Sequence, residues 1–290
     1  MNIFYTRLGI LVDRMRKYIC SFNYNAAYIS YSEMLKKKKS EKVFIIGSGA
    51  SINRFTEEQR KEIINNDSIC LNYGMMYGIS STFHIFELAE KGHKMTRNGA
   101  LLNNIDLYHK KNPSTYILLQ AGVKGKSIID LLDSSQTQYV KLIENLFMPI
   151  KNPRKIKDCI IYTDNLKNRL NINDRYLYFT KRASIFSAIQ IAKDLGYKKI
   201  VLCGVELNND NYYYEELREE YESEGYAVPT VNHSKNGIHK TNDKSVGSIT
   251  VQELIEIYNE SILKPNNIDL YVALNNSVLV PAVEVYWNDK

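Results

Sequence analysis

The sequence predicts an α/β protein: a single Rossmann-like domain on a mostly parallel sheet, with a tyrosine-rich lid segment and an N-terminal helical appendage. Three observations carry this. Lys42-Val43-Phe44-Ile45-Ile46 is an apolar run without alternation, the mark of a strand covered on both faces, and it opens into Gly47-Ser48-Gly49-Ala50-Ser51. Lys199-Ile200-Val201-Leu202-Cys203 repeats the pattern and ends in Gly204-Val205-Glu206. Ahead of that second run, Ile185, Phe186, Ala188, Ile189, Ile191, Ala192 and Leu195 make a wide apolar helical face stopped by Gly196. Helix, short turn and buried strand are half of a βαβ unit.

Taken in order, residues 1–41 form a basic amphipathic appendage outside the sheet. Ile3, Phe4, Leu8, Leu11, Met15 and Ile19 fall near helical spacing among Arg7, Arg14, Arg16 and Lys17, and Lys36-Lys37-Lys38-Lys39 closes the segment. It offers two partners: an anionic membrane surface contacted peripherally, or packing on the domain or on a second subunit in a homo-oligomer. The domain proper spans 42–290. Thr56 with Gln59 makes a capping box for a helix running to about Ile64. Ser68–Leu71 is a second strand ending in Asn72, Thr82–Phe86 a third ending at Glu87, and Tyr116–Leu119 and Cys159–Tyr162 two more. Ile128–Leu132 and Val140–Leu146 read as helical pieces. Residues 207–245 form the lid, with a polar, tyrosine-rich stretch from Asn208 to Tyr226 that includes Tyr212, Tyr213 and Tyr214. Ile249–Leu263 is an amphipathic helix, and Ile268–Leu274 a last strand leading to Asn275-Asn276-Ser277.

Composition narrows the function classes. Lys+Arg 38 against Asp+Glu 32 leaves a net charge of +6, a mild excess that suits an anionic ligand and, without any recognition motif, excludes nucleic acid. Cys20, Cys70, Cys159 and Cys203 are scattered singly, three of them in apolar strand-like runs, as in a cytoplasmic protein with buried thiols. No apolar run reaches the roughly 18 residues of a membrane span, and no signal peptide is evident, so a cytoplasmic location is expected, peripheral on the inner face of the membrane if residues 1–41 dock there.

The chemistry-bearing residues follow the strands. Gly47, Ser48, Gly49, Ser51, Asn72, Glu87, Gly204, Glu206, Asn276 and Ser277 all come just after apolar runs, and a parallel sheet gathers such positions along its carboxyl edge, where open α/β sheets bind ligands. Gly-Ser-Gly-Ala-Ser lacks both the third glycine of a dinucleotide fingerprint and the Gly-Lys-Ser/Thr of a P-loop, so it marks a small-residue turn without naming the ligand. His233 and His239 lie in a loop of small and polar residues, where an imidazole serves as a general base. Six residues apart and without neighbouring acidic or cysteine ligands, they do not form a metal set, and no Asp-x-Asp pair occurs; no metal and no cofactor are expected.

Four blocks in this order, VFIIGSGAS, SICLNYG, RASIFSAIQIAKDLGYKKIVLCGVE with its tyrosine lid, and HSKN followed by a helix and a strand ending LNNS, resemble the bacterial sialyltransferases of glycosyltransferase family 42 over about 42–75 and 180–280. The resemblance implies a GT-A-like variant of the Rossmann fold with a lid. It also implies metal-independent, inverting transfer of a sialic-acid-like sugar from a cytidine monophosphate (CMP) donor to a hydroxyl of a surface glycan such as lipooligosaccharide or capsule. By position, Ser48, Gly49 and Ser51 are to line the CMP phosphate and ribose, Asn72 to touch the donor, Ser184 the nucleotide and Glu206 the cytidine end. Tyr214, next to Tyr213, is to meet the departing phosphate, and His233 is to be the base, with His239 its alternate. The chain departs from the family at Ser48 and Glu87, where the family carries amides, and at Thr230, where it carries a second tyrosine. Those changes favour a related CMP-activated acid sugar, Kdo, legionaminic or pseudaminic acid, almost as much as sialic acid. A phosphotransferase related to pterin pyrophosphokinases and a non-catalytic nucleotide-binding protein are the other readings.

Overall fold

A parallel eight-stranded sheet organises the chain in the computed structural model, which describes residues 28–88, 94–120, 131–143, 145–147, 152–170, 178–180, 182–231, 233–234, 237–245 and 247–287. Its strands are β1 (Lys42–Ile46), β2 (Asp67–Leu71), β3 (Phe83–Phe86), β4 (Tyr116–Gln120), β5 (Val140–Ile143), β8 (Lys199–Cys203), β9 (Asp269–Val272) and β10 (Glu284–Val285), in spatial order β10-β9-β8-β1-β2-β3-β4-β5. The short strands β6 (Asn145–Phe147) and β7 (Tyr178–Thr180) pair separately.

The absence of alternation in β1 is explained by its two covered faces. Val43 and Ile45 point into one core with Ile69, Leu71, Phe83 and Leu202, against the helices α4 (Pro153–Leu170), α5 (Ser184–Asp194) and α8 (Val251–Tyr258). Phe44 and Ile46 point into the other, with Cys70, Phe86 and Cys203, against α2 (Glu57–Ile64), α3 (Lys94–Lys111) and the lid. Each such fully buried side chain contributes roughly 1.5–3 kcal/mol. The expected capping box at Thr56 and Gln59 is present at α2, and Thr250 with Glu253 forms another at α8, which continues as a π turn from Asn259 to Leu263.

Several expectations change. Cys159–Tyr162 is not a strand but part of α4: Ile156, Cys159, Ile160 and Thr163 are all buried, which is the i, i+3, i+4, i+7 stripe of a helix. Val140–Leu146 is not helical; it supplies β5 and enters β6, with Val140, Leu142 and Ile143 buried where β5 adds to β4. Ile128–Leu132 falls mostly outside the described residues, as do Cys20 and residues 1–27. The lid contains two short helices, α6 (Tyr213–Glu216) and α7 (Arg218–Ser223), but it is less polar than its sequence implied. Tyr213, Tyr214, Tyr221 and Tyr226 are buried, each ring edge-on to at least one other or tilted against Tyr73.

Residues 28–41, read with the appendage, are bound to the domain. Tyr28 bridges Leu142 beside β5, Ile29 N–H donates to Leu142 O at 3.0 Å, and α1 (Tyr31–Lys37) inserts the fully buried Met34 into the core. Asp67 accepts from the Lys39 and Ser40 amides at 2.7 and 2.9 Å. At the far edge, Trp287 stacks on Phe44 at 5.7 Å and donates from Nε1 to Glu62 at 2.9 Å, so the C-terminal segment closes the second core. Met34→Ala is expected to cost about 2–4 kcal/mol, as removal of any buried Met does, in urea unfolding; a change under 0.5 kcal/mol would show that α1 is not part of the folded domain.

Candidate active site

After β1 the chain winds to one side through β2 to β5, then returns to β8 on the other side of β1, so the loops leaving β1 and β8 diverge. Such a reversal opens a crevice at the carboxyl ends of the strands. Here the two loops touch at its base. Gly47 N–H donates to Cys203 O at 2.8 Å and Gly49 N–H to Gly204 O at 3.0 Å. A Cβ on Gly47 would stand 2.5 Å from Gly204 O, and one on Gly49 only 1.7 Å from Glu206 Oε2. The glycines are therefore required by this strand-to-strand approach, not by a ligand.

Above the contact lies a cavity of about 780 Å³. Its floor consists of Gly47, Ser48, Gly49, Gly204 and Glu206, with Asn72, Glu87 and Ser184 on the sides. Asn72 ties those sides together: its Nδ2 donates to Ser184 Oγ at 3.4 Å and its Oδ1 accepts from the Glu87 N–H at 3.0 Å. Ser184 begins α5, so this helix presents its N-terminal end to the cavity. Glu206 is buried, its Oε1 accepts from the Ser51 N–H at 3.2 Å, and burial raises its pKa above the usual carboxylate value. Asn72, Arg182 and Leu207 all line the cavity at positive φ, 47°, 68° and 65°, and for Arg and Leu that conformation costs energy.

The lid supplies the opposite wall. Tyr212 and Tyr214 stack at 5.3 Å, and Tyr212 Oη lies 3.1 Å from His239 Nε2. His239 Nδ1 lies 2.7 Å from Thr241 Oγ1. Burial lowers the His239 pKa, with Lys240 adding to the effect and Asp210 opposing it, so the ring is neutral at pH 7. Arg182 holds this loop: Nε donates to Thr241 O at 3.2 Å, and Nη2 to Lys240 O and Asp243 O at 3.1 and 2.8 Å. Among the described residues, no group of three or more His, Cys, Asp and Glu side chains is arranged to hold a metal ion.

Five expected site residues lie off the cavity lining. His233 is exposed and joins two carboxylates, Nδ1 to Asp210 Oδ1 at 3.3 Å and Nε2 to Glu215 Oε1 at 2.9 Å. The hydrogen bond that it donates to Asp210, with Glu215 adding, raises its pKa, as for an imidazolium that fastens loop to lid. Lys235 and Asn236 of the same block lie outside the described residues. Ser51 contributes its amide to Glu206. Tyr213 is fully buried and donates its hydroxyl to Tyr73 O at 2.6 Å. Ser277 Oγ donates to Val205 O at 2.7 Å and Asn276 O accepts from Asn208 Nδ2 at 3.1 Å, so both brace the β8 loop from behind. Arg182, Asp210, Tyr212, Lys240 and Thr241 line the cavity without having been singled out for it. Tyr212 stood in a visible tyrosine run; the others carried no signal in the sequence.

No protein-family model matches the chain, and no curated protein matches it. Among solved structures it is similar to the monofunctional α-2,3-sialyltransferase Cst-I of Campylobacter jejuni, at 15% identity over 86% of this chain and 82% of that one, with a TM-score of 0.43. It is also similar to the sialyltransferase CstII of Campylobacter jejuni in complex with the substrate analogue cytidine-5'-monophosphate, at 16% identity over 84% of both chains, with a TM-score of 0.42. Likenesses of this size leave the function to be argued from the cavity itself.

Two outcomes follow from this geometry. Gly49 has φ −71°, which any residue adopts, so Gly49→Ala meets contact rather than backbone strain. It is expected to destabilise the fold by about 1–3 kcal/mol, and Glu206→Ala in the same chain to recover about 1 kcal/mol or more of that loss; strict additivity in denaturant unfolding would refute the contact. The His233 latch is pH-dependent in a definite direction. Its folded pKa is raised, so its contribution is complete below the unfolded value of about 6.5 and is lost as pH rises through the folded value. His233→Ala is therefore expected to lower stability more at about pH 5.5 than at about pH 8.5, and equal losses at both would rule out the charged latch.

Proposed function

We propose that the cavity binds a CMP-activated acid sugar and that the chain is a glycosyltransferase moving this sugar, with inversion and without a metal, to a glycan hydroxyl. One observation carries the reading: the small-residue floor at the strand reversal and the neutral His239 on the lid wall face the same cavity. The floor suits a nucleotide, because Ser48 and the glycine backbone leave room for a phosphate or ribose and the N-terminus of α5 favours negative charge. The sequence resemblance supplies the identity of the nucleotide. Gly47, Ser48, Gly49, Asn72, Glu87, Ser184, Gly204, Glu206, Tyr214 and His239 all line the cavity, which supports the reading.

In this reading the sugar–phosphate bond breaks towards an oxocarbenium-like centre. Charge gathering on the departing phosphate is met by Tyr214, Ser48 and Lys240. The acceptor hydroxyl attacks from the open side of the lid wall, and His239 takes its proton. His239 replaces His233 in that role because it is neutral and on the cavity, whereas His233 has both nitrogens engaged by carboxylates.

The expected result of a thermal-shift series is stabilisation by CMP above CDP, UDP, GDP and ATP, about 2.7 kcal/mol at one hundred times its Kd; stabilisation by another nucleotide above CMP would overturn the donor assignment. With a chelator present, turnover of CMP-sugars should persist. His239→Ala should lower transfer by about 10²- to 10⁴-fold with CMP affinity little changed, and the acid limb of the wild-type rate profile should lie below pH 6.5, since the base must be unprotonated and its pKa is lowered. A fully active His239→Ala enzyme would remove histidine from the mechanism.

A further inference from the structure

The hydrogen bonds around His239 favour one ring tautomer over the other. Nδ1 lies 3.3 Å from the backbone amide of Thr241, and an amide N–H can only donate. A lone pair on Nδ1 accepts from that donor, and in this tautomer the ring proton sits on Nε2, with Tyr212 Oη 3.1 Å away to accept it. In the same tautomer Thr241 Oγ1, 2.7 Å from Nδ1, donates its proton to that lone pair, which it shares with the amide. That leaves the oxygen lone pairs of Thr241 for the cavity that this residue lines. The residue is held firmly: its carbonyl accepts from Arg182 Nε at 3.2 Å and from the Val251 N–H at 3.0 Å.

We propose that the acceptor's proton reaches His239 through the Thr241 hydroxyl, with Tyr212 as the positioning residue that keeps the ring proton on Nε2. This rests on the transferase reading above. In the step, the acceptor hydroxyl gives its proton to Thr241 Oγ1 as the Thr241 proton passes to His239 Nδ1. The acceptor oxygen forms a bond to the anomeric carbon, and the bond from that carbon to the phosphate oxygen breaks, its electron pair leaving with CMP. The ring ends as an imidazolium whose two N–H groups are donated to Thr241 Oγ1 and Tyr212 Oη. The Asp210 carboxylate favours that charge and Lys240 opposes it. A direct transfer to Nε2 is blocked in the resting ring, because that nitrogen already holds a proton.

The test compares Thr241→Val, Thr241→Ser and Tyr212→Phe with the wild type. Thr241→Val keeps the shape and removes the hydroxyl; transfer should fall about 10- to 100-fold while CMP-induced stabilisation, which also reports folding, stays as it was. Thr241→Ser should recover most of the rate. Rates in mixtures of light and heavy water should bow with two protons in flight for wild type and Ser, and run straight for Val. Wild-type transfer by Thr241→Val, or equal loss in Ser and Val, would overturn the relay. Nitrogen-15 spectra of the resting protein read the tautomer without any activity: a proton on Nε2 that becomes shared between the two nitrogens in Tyr212→Phe is expected, and a proton on Nδ1 in the wild type would refute the assignment. If the tautomer is as stated but no CMP-sugar is turned over by the wild type, the transferase reading fails, and the relay with it.

Discussion

The structure depends on the pinch between the ends of β1 and β8. Two backbone hydrogen bonds, Gly47 to Cys203 and Gly49 to Gly204, draw these strand ends closer than side chains allow. Glu206 then turns in under Gly49 and accepts from Ser51, so the carboxylate is committed to the loop before any ligand arrives. Because the strands meet at their ends, their loops splay apart above, and the cavity is the space that results. Asn276 and Ser277 reinforce the β8 loop from the outer side, which makes the floor a layered object in place of a flexible turn.

The lid is held by aromatic packing as much as by hydrogen bonds. Tyr213 sits in the core with its hydroxyl on Tyr73 O and donates its N–H to Ser48 O at 3.2 Å, so the first lid helix is anchored to the loops that follow β2 and β1. Its neighbours Tyr212, at the N-cap, and Tyr214 can then face the cavity, because successive positions at the start of a helix point in different directions. A buried anchor and cavity-lining residues in the same tyrosine run give the wall rigidity at low entropic cost.

Strain gathers at the cavity. Asn72, Arg182 and Leu207 hold left-handed conformations, and two of them are over-determined by their neighbours, Asn72 through both of its amide atoms and Arg182 through three carbonyls. Arg182 is the link between the α5 side and the His239 loop. Its guanidinium is spent on backbone carbonyls, so its part in the site is to fix the loop.

The central strands β1, β2, β3, β4, β8 and β9 and the helices α2, α5 and α8 were legible in the sequence, because apolar runs and, at α2, capping residues act locally. The same logic misread Cys159–Tyr162 and Val140–Leu146, short apolar segments whose periodicity fits helix and strand alike until neighbours decide. It passed over β10, a two-residue strand that exists only because β9 offers an edge. The cavity floor followed from strand order and was also readable. The histidine was not: His233 and His239 look equivalent in their loop, and only the Arg182 clamp and the Asp210 and Glu215 carboxylates, all distant in sequence or silent in it, turn one to the cavity and the other to the surface. What the sequence determined by itself was therefore the elements and the edge on which chemistry could occur. The tertiary structure decided which side chains meet there, because such meetings are set by long-range backbone contacts that no local pattern records.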